Sequence, residues 1–404
     1  MSPGSYTNGQ NRVMGMLLVD DSFELVLYQN LGQVTRAVLH SKRPLEIQNL
    51  LVGRGPEEVL ELLARLYPIG GKAQVFAALL ALEEAYGLHP NPYHHKARAL
   101  LVHFENLAQT WVRVEQDWAK LLGNPAPVLP PVGLLEERLT RALYGDHPPF
   151  FFGDFTPKAD VRVIGEVALE ARTGLEERLL GTSLDLFLKW TQGQWAQWLE
   201  NDSALGARVL RYYRQLPALK NPLVPILPWA SEQEWHKVLS SADAVGMLYH
   251  PVLAGKPQET GAFARTEKSP LLQAYLKTNP NLAVSRVLAR LVDLGQSLKF
   301  LSQGLEIAVA STGVSKKSGL GLAQVESARG RLVHRLRVEA DKILQYQIIS
   351  PQQWNLCPKG VFLQALVGVK GSDKPGLARL ARAWSKALDP FLEMPVKILQ
   401  EEEL

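Results

Sequence analysis

Cysteine is almost absent from this sequence, since its 404 residues contain only Cys357. A single thiol excludes an intrachain disulfide, and it excludes a zinc or iron–sulfur site built only from cysteines of this chain. Long hydrophobic runs are missing too. The longest nearly uninterrupted run, Ala73–Leu82, contains Gln74 and is far shorter than the ~20 apolar residues of a membrane span.

A strong charge of either sign is also missing. There are 44 lysines and arginines against 40 acids, a net charge of +4, and no basic face interleaved with aromatic side chains. Nothing therefore favours nucleic acid or a membrane surface as a partner. The start, Met1–Gln10, is polar, and no signal-peptide cleavage pattern follows Arg12. We therefore expect a cytoplasmic protein.

The sequence does contain many amphipathic segments. Ala97–Leu122 and the stretch Val284–Leu305 repeat apolar residues at helical spacing and predict two long helices. Met16–Leu27 and Gln33–His40 alternate and predict an N-terminal β-meander, after a disordered N-terminus at residues 1–11. Shorter helices are predicted at Pro56–Leu66, Lys72–Tyr86, Thr173–Leu199 with a break near Gly181, Trp235–Leu239 and Leu377–Ala387. This pattern is typical of an α+β, predominantly helical protein with a central long-helix bundle.

The most distinctive pattern lies near the C-terminal end. Leu332–Val338 alternates, Glu339–Lys342 is suited to a turn, and Ile343–Ile349 is strand-like, so we predict a C-terminal β-hairpin. Glu-Ser-Ala-Arg-Gly at residues 326–330 precedes it, and Pro-Gln-Gln-Trp-Asn at residues 351–355 follows it.

These pieces resemble, in their order, the large subunit of [NiFe] hydrogenases, where an E-A-P-R-G turn precedes a similar hairpin that ends in a P-T-T-W-N loop. Further family motifs are matched by Arg12–Leu17, Gly53–Pro56, Arg65–Gly70, His103-Phe104, Glu259–Arg265 and Asp389–Lys397. The resemblance implies the [NiFe] hydrogenase large-subunit-like fold, formed by residues 12–404 as a single composite domain.

The same resemblance identifies what has been lost. In the family, two C-x-x-C pairs hold nickel and iron through four thiolates, soft ligands that suit these metals. The matching positions here are Tyr67, Gly70, Phe391 and Met394. Glycine and phenylalanine offer no donor, a thioether is neutral, and a phenol with a pKa near ~10 is mostly protonated at neutral pH. Met14 and Lys397 also replace a proton-relaying acid and the terminal histidine. We expect neither a resident metal nor hydrogen activation.

Part of the family's pocket is retained. Arg329 matches the arginine beside the iron and its cyanides, and Gln352 falls where a hydroxyl donates to a cyanide. Cys357 is a possible iron ligand, although an unpaired cysteine is usually a small apolar residue. We treat these three residues as candidate contacts of an Fe(CN)₂CO unit, with structural roles in their turns as the alternative. Arg265 is expected to fix its own loop.

The histidines predict no metal site. His94 and His95 fall in the turn-rich stretch His89–His95, which we interpret as a connector. His103 and His334 lie in apolar patterns and are expected in the core.

The HupK/HoxV-type hydrogenase assembly proteins are the branch of the superfamily that shares such degenerate cysteine motifs, although relatives often keep a cysteine or histidine where this chain has Gly70 or Gln74. Membership implies a non-catalytic scaffold or chaperone that helps to pass Fe(CN)₂CO to the hydrogenase large-subunit precursor, together with a HypC-type maturation chaperone. No cofactor would be bound stably. The alternative is a redox-inert structural subunit of a hydrogenase- or complex I-related respiratory complex.

Overall fold

The computed structural model describes residues 23–41, 45–219, 221–241, 244–277, 281–306, 319–371, 373–389 and 394–401. The predicted disorder of residues 1–11, the strand before Phe23 and the replaced positions Met14 and Phe391 lie outside these residues.

Helices make up most of the described chain. In order, the elements are β1 (Phe23–Asn30), β2 (Gln33–Ser41), a 3₁₀ helix (Leu45–Leu51), α1 (Pro56–Leu66), α2 (Gly71–Tyr86), α3 (Pro92–Leu121), α4 (Val132–Tyr144), α5 (Val161–Leu175) with a π-helical end (Glu176–Leu180), α6 (Leu184–Phe187), α7 (Gln192–Asn201), α8 (Leu205–Gln215), α9 (Glu232–Leu239), α10 (Ala244–Tyr249), α11 (Ala262–Thr266), α12 (Pro270–Leu276), α13 (Leu282–Gln303) with a 3₁₀ turn (Gly304–Glu306), β3 (Leu320–Ser327), β4 (Gly330–Glu339), β5 (Lys342–Ile349), α14 (Pro351–Asn355), α15 (Val361–Leu366), α16 (Lys374–Leu388) and β6 (Val396–Gln400).

The two longest helices, α3 and α13, pack against each other in the centre. The Asn91 side chain caps α3 by accepting from the Tyr93 amide, and Asn281 caps α13 by accepting from the Ala283 amide. Most of α13 is buried, including Arg286 and Arg290, as expected for a helix surrounded by others. The predicted long-helix bundle is therefore confirmed. No helix in the described ranges is both long and apolar enough to cross a membrane.

The first sheet joins the two ends of the described chain. Its strand order is β2-β1-β6, with β1 antiparallel to β2 and parallel to β6. The N-terminal antiparallel pair confirms the predicted meander from Phe23 onward. The sequence did not predict β6, because its five residues, four half-buried and one exposed, carry little alternation.

The second sheet, β3-β4-β5, contains the predicted hairpin and one additional strand. Glu339 pairs with Lys342, so the turn has two residues, Ala340 and Asp341, both with positive φ (47° and 58°). That geometry matches the right-handed twist of the strands. Both faces of the sheet are covered: Leu336 packs with α1 and α2, and Val333 packs with α9 and α14.

Three sequence predictions are corrected. His89–His95 is not all connector, because Asn91 and Pro92 start α3 there, which makes His94 and His95 helical. Thr173–Leu199 is not one helix broken once at Gly181, because Thr191 and Gln194 form a capping box that starts another helix. The Pro-Gln-Gln-Trp-Asn segment is a short helix, α14.

Candidate functional site

Arg265 holds residues 326–330, a segment that contains the two-residue turn between β3 and β4. Its Nη1 donates to Glu326 Oε2 and to the Ser327 carbonyl, each at 3.0 Å, and its Nη2 donates to the Ala328 carbonyl at 3.0 Å. A two-pronged contact at 2.8 and 2.7 Å ties the same guanidinium to Asp293 of α13. Burial lowers the pKa of Arg265, but the carboxylates of Asp293 and Glu326 outweigh it and the net pKa is raised. Arg265 thus fixes a neighbouring turn as well as its own helix, α11.

Arg329 points from this turn into the helical bundle. Its Nη1 donates to Gln109 Oε1 of α3 at 2.5 Å, and its Nε lies 3.9 Å from Asp389 Oδ2 at the end of α16. The side chain is only 9% exposed. Burial lowers the pKa of Arg329, and Asp389 partly offsets this. Glu326, three residues before Arg329, pairs with Arg331 at 2.9 Å and with Arg265 at 3.0 Å.

Asp389 is the centre of a buried group of charges. Arg290 Nη2 lies 3.1 Å from Asp389 Oδ2, and Arg113 Nε lies 3.8 Å from Oδ1. Arg113 Nε also contacts Asp117 Oδ2 at 2.9 Å, and Lys386 Nζ contacts Asp117 Oδ1 at 2.6 Å. We call these residues, with Arg329, the Asp389 cluster. Buried charges of this kind are kept in place by their partners, because removing one partner leaves another charge uncompensated.

A cavity of ≈ 20 Å³ lies against the Asp389 cluster. Its lining includes Thr110, Thr260, Arg290, Ala328, Arg329 and Asp389. A cavity of this volume holds about one water molecule. The space beside Arg329 is therefore small, and the charged side chains of Arg290, Arg329 and Asp389 line it.

The degenerate first motif has become a helix connection. The Tyr67 amide donates to the Leu63 carbonyl at the end of α1, and Gly70, with φ 75°, precedes α2. Glu105 of α3 accepts hydrogen bonds from the amides of Lys72 and Ala73, each at 3.0 Å. These contacts satisfy two of the amides that a helix start leaves without partners.

The two degenerate motifs converge on one face of α3. Glu105, Gln109 and Arg113 are spaced four residues apart, so their side chains lie on the same face. Glu105 contacts the start of α2, Gln109 contacts Arg329, and Arg113 contacts Asp389. The sequence did not predict a role for Glu105 or Gln109, because their partners are distant in the chain.

Met394, at a position predicted from the sequence to match a family cysteine, is buried in the main apolar core at 6% exposure and contributes to packing. Gln74 is also structural. Its Oε1 lies 2.8 Å from His334 Nε2, and His334 Nδ1 lies 2.9 Å from the Tyr346 hydroxyl. Burial lowers the pKa of His334 to about 3, so the imidazole is neutral. This contact joins α2 to the second sheet and confirms that His334 is a core residue.

Gln352 and Cys357 are not among the described residues that line the Arg329 cavity. Gln352 is half-buried in α14, and its carbonyl accepts from the Leu356 amide at 2.9 Å. Cys357 is buried, its Sγ donates to the Trp354 carbonyl at 3.3 Å, and burial raises its pKa. Both thus remain predictions as iron contacts.

Asn355 provides the link that sequence analysis did not assign. Its Oδ1 accepts from the Thr260 amide at 3.0 Å, and its Nδ2 donates to the Thr260 carbonyl at 2.9 Å. Asn355 of the Trp-Asn signature therefore holds the segment Glu259–Arg265, which enters α11, beside the cavity. Asn355 belongs to a motif that the sequence singles out, but the sequence does not show that Thr260 is its partner.

His94, His95 and His103 all lie in helix α3, where His94 is buried and the other two are half-buried. His94 and His95 have pKa values lowered to about 4, because burial and the nearby Arg98 disfavour the charged form. His103 stacks on Phe300 with ring centroids 5.0 Å apart. Among the residues that the structure describes, no group of three or more His, Cys, Asp or Glu side chains is arranged to hold a metal ion.

Comparison with known proteins matches this geometry. The nickel-dependent hydrogenase family matches residues 279–369, which contain α13, the second sheet and the Arg329 turn. The Ni-Fe-Se hydrogenase from D. vulgaris Hildenborough superposes with a TM-score of 0.61 over 90% of this chain and 94% of its own, at 18% identity. The fold is therefore that of the hydrogenase large subunits, α+β and predominantly helical.

Particular relatives lie within the assembly branch. The hydrogenase expression/formation protein HupV of Azotobacter chroococcum mcd 1 is 28% identical over 91% of this chain and 95% of its own length. The hydrogenase expression/formation protein HupK of Azotobacter vinelandii is 27% identical, with coverage of 91% and 95%. The resemblance to HupK-type proteins of the hydrogenase large-subunit superfamily is thus confirmed.

Proposed function

We propose that this protein is a non-catalytic assembly factor in [NiFe] hydrogenase maturation. The observation that carries the proposal is the state of the first motif. Gly70 and Gln74 serve helix geometry and core packing, and Glu105 occupies the helix start, in a chain similar over most of its length to hydrogenase expression/formation proteins. The large-subunit architecture is kept while its thiolate positions are lost.

The same observation argues against hydrogen activation. A nickel–iron centre needs soft anionic ligands, and the described positions provide a phenol at Tyr67, a hydrogen at Gly70 and a buried thioether at Met394. A chain of this kind serves by binding other proteins and their cargo. Its partners would be a HypC-type maturation chaperone and the hydrogenase large-subunit precursor, in the cytoplasm where both are made.

The finer proposal concerns the cargo. The Arg329 guanidinium is a charge-assisted donor suited to the cyanides of an Fe(CN)₂CO unit, which would be held transiently and passed on. Because the present cavity holds about one water molecule, the side chains of Arg329 and Asp389 would have to separate to admit the unit. Gln352 and Cys357 are further candidate contacts if the loop around α14 moves with them.

Deletion and complementation in the native host test the proposed function. We expect deletion of the gene to lower hydrogenase activity and to leave large-subunit precursor unprocessed, and the wild-type gene to restore both. Unchanged hydrogenase activity in the deletion strain would overturn the maturation role. Stoichiometric recovery of the chain in a respiratory complex would favour the structural-subunit alternative.

Infrared spectroscopy tests the cargo. Wild-type protein co-purified with the maturation proteins should show CN and CO bands, and Arg329→Met should lose them. Arg337→Met, at an exposed position of β4, is the matched control and should keep them. Cys357→Ser tests whether the thiol binds the iron. If it does, this substitution should also remove the CN and CO bands. Absence of bands from the wild type would leave a purely protein-binding role.

A further inference from the structure

A groove of ≈ 510 Å³ lies directly over the degenerate first motif. One wall is a single face of α1 that carries Glu57, Leu60, Glu61 and Ala64, and the other includes Phe150 and Phe151. Its base is apolar, with Leu60 and Val75 each at 5% exposure. Grooves of ~300–1,000 Å³ with an apolar lining and a few charged groups are typical binding sites.

The charges of this groove are one-sided. Its lining contains three acids, Glu57, Glu61 and Glu105, and one base, Lys72. The Lys72 ammonium is engaged 2.9 Å from Glu136 Oε1. Glu61 has a 3.4 Å contact with Arg65, but both side chains are about 70% exposed, and such pairs are worth little. The groove therefore presents negative charge at its mouth.

A second and larger groove shows that this asymmetry is not a general property of the surface. That groove, ≈ 870 Å³ between α4 and α5, is lined by three bases and three acids. These are Arg138, Arg141, Lys158, Glu137, Asp160 and Glu170. Of the two grooves, only the one over the first motif, which we call the acidic groove, has an unbalanced charge that favours a partner of opposite sign. We call the groove between α4 and α5 the balanced groove.

The position of the acidic groove connects it to the candidate site. Glu105 forms part of its lining, and Gln109, one helical turn further along α3, contacts Arg329. A segment that occupies the groove would therefore lie close to the Asp389 cluster. This is a suitable place for a protein that delivers or receives a small unit at Arg329.

We propose that the acidic groove binds an extended segment of a maturation partner in which lysine or arginine side chains alternate with apolar ones. Apolar side chains would pack on Leu60, Val75 and Phe150, and the cations would face Glu57 and Glu61. Alternation is the natural pattern, because successive residues of an extended segment point to opposite sides. The proposal rests on the maturation role, which supplies the partner.

A direct binding measurement on the full chain tests the groove. The probes are two fluorescein-labelled, terminally blocked hexapeptides, one alternating leucine with lysine and the other alternating leucine with glutamate. We expect fluorescence anisotropy to show binding of the lysine peptide only, weakening as salt is added. Equal binding of both peptides, or no binding of the lysine peptide at millimolar concentration, would overturn the proposal.

Charge reversal locates the binding. The double variant Glu57→Lys with Glu61→Lys should weaken the lysine peptide by about tenfold or more, because both side chains are exposed and face the groove. The matched control, Glu137→Lys with Glu170→Lys, reverses two acids of the balanced groove and should leave binding unchanged. Equal loss in both variants would mean nonspecific charge attraction and would overturn the assignment. Thermal melting checks that each variant is folded.

Expression of the same variants in the native host separates this inference from the proposed function. If the gene deletion abolishes hydrogenase maturation while the groove variant complements fully, the groove proposal is wrong and the maturation role stands. A photocrosslinker at position 61 should label a maturation protein. Crosslinks only to the chain's own residues 1–22 would overturn the proposal, since the groove would then hold a segment of this chain.

Discussion

Gly70 and Met394, which the sequence resemblance matches to ligand positions of the family, and the nearby Gln74 have local structural roles in this chain. Gly70 adopts φ 75°, which a side chain would strain, and it starts α2. Met394 fills the core, and neighbouring Gln74 bonds to buried His334. Restoring a cysteine at any one of them would therefore disturb packing or a helix start. These positions therefore contribute to the folded core through packing and helix geometry.

Arg265 gives the first prediction at the residue scale. Arg265→Lys removes the two-pronged contact to Asp293 and most donors to the turn at residues 326–330, so we expect a loss of about 3 kcal/mol in the free energy of unfolding. Urea unfolding measures it. The control is Arg162→Lys, whose arginine is 84% exposed, and a change below about 0.5 kcal/mol is expected there. Similar small losses in both variants would contradict the assigned role.

His334 gives a prediction of pH dependence. Its pKa is about 3 in the folded chain against an ordinary value of 6.5, because burial disfavours the charged imidazolium. Below pH 6.5 the unfolded chain takes up a proton that the folded chain refuses, so stability falls with falling pH by up to ~1.4 kcal/mol per unit until about pH 3.

The measurement compares wild type with His334→Gln, which removes the titrating ring but keeps an amide able to bond Gln74. Urea unfolding at pH 7.5, 6.5 and 5.5 gives the difference in slope, and other titrating groups cancel in that difference. We expect the variant to lose stability less steeply below pH 6.5. Parallel curves would show that His334 is protonated normally in the folded protein.

Sequence alone could place Arg329 in the site but could not find its partners. The motif around Arg329 is contiguous, whereas Gln109 lies on another helix and becomes a neighbour only when the bundle forms. Glu105 was missed for the same reason. Cys357 attracted attention because it is the only thiol, yet its Sγ bonds to its own loop at the Trp354 carbonyl. Chemical type alone did not reveal where the side chain points.

At the scale of elements, the sequence predicted a helix or hairpin wherever the residues that form its cap or turn lie close together in the chain. Pro56 begins α1, Ser231 and Glu234 form the capping box of α9, and the 339–342 turn closes the hairpin. Strand β3 carried no such signal. Its burial on both faces removes the alternation by which a half-buried strand is recognised.

The contact of β3 with α2 gives an element-scale prediction. A Cβ at Gly321 would lie 1.7 Å from the Ala81 carbonyl oxygen of α2, so the helix and strand can approach this closely only without a side chain. We expect Gly321→Ala to destabilise the protein by at least ~2 kcal/mol, since backbone atoms must move apart.

Gly165→Ala is the matched control, because Gly165 is exposed within α5 and a Cβ there meets nothing within 4 Å. That substitution should raise stability by about 0.5–1 kcal/mol through helix propensity. Opposite signs of the two shifts in thermal unfolding are the expected outcome. A neutral Gly321→Ala would mean that α2 and β3 are further apart than the structure places them.

At the scale of the whole molecule, the second sheet connects the apolar clusters. Leu322 belongs to the cluster with α9 and α14, Ala323 to the cluster with α1 and α2, and Val325 to the main bundle. Three residues of one strand thus reach three parts of the core. In addition, β6 pairs with β1, which ties the last described strand to the first.

This connectivity predicts that residues 12–404 unfold as one domain. Clusters that share a strand cannot separate without breaking its hydrogen bonds, so partial unfolding of one should destabilise the others. Far-UV circular dichroism and tryptophan fluorescence should therefore give the same urea midpoint.

Fluorescence samples both regions, because Trp111, Trp118 and Trp384 lie in the main bundle while Trp235 and Trp354 lie beside the sheet. Trp229 also lies beside the sheet, under the Arg331 guanidinium. Replacing Trp229, Trp235 and Trp354 by phenylalanine therefore leaves only the tryptophans of the main bundle, and their midpoint should again match the dichroism of that variant. Two separated midpoints would show that the sheet region unfolds independently, and the chain would then contain two domains instead of a single composite one.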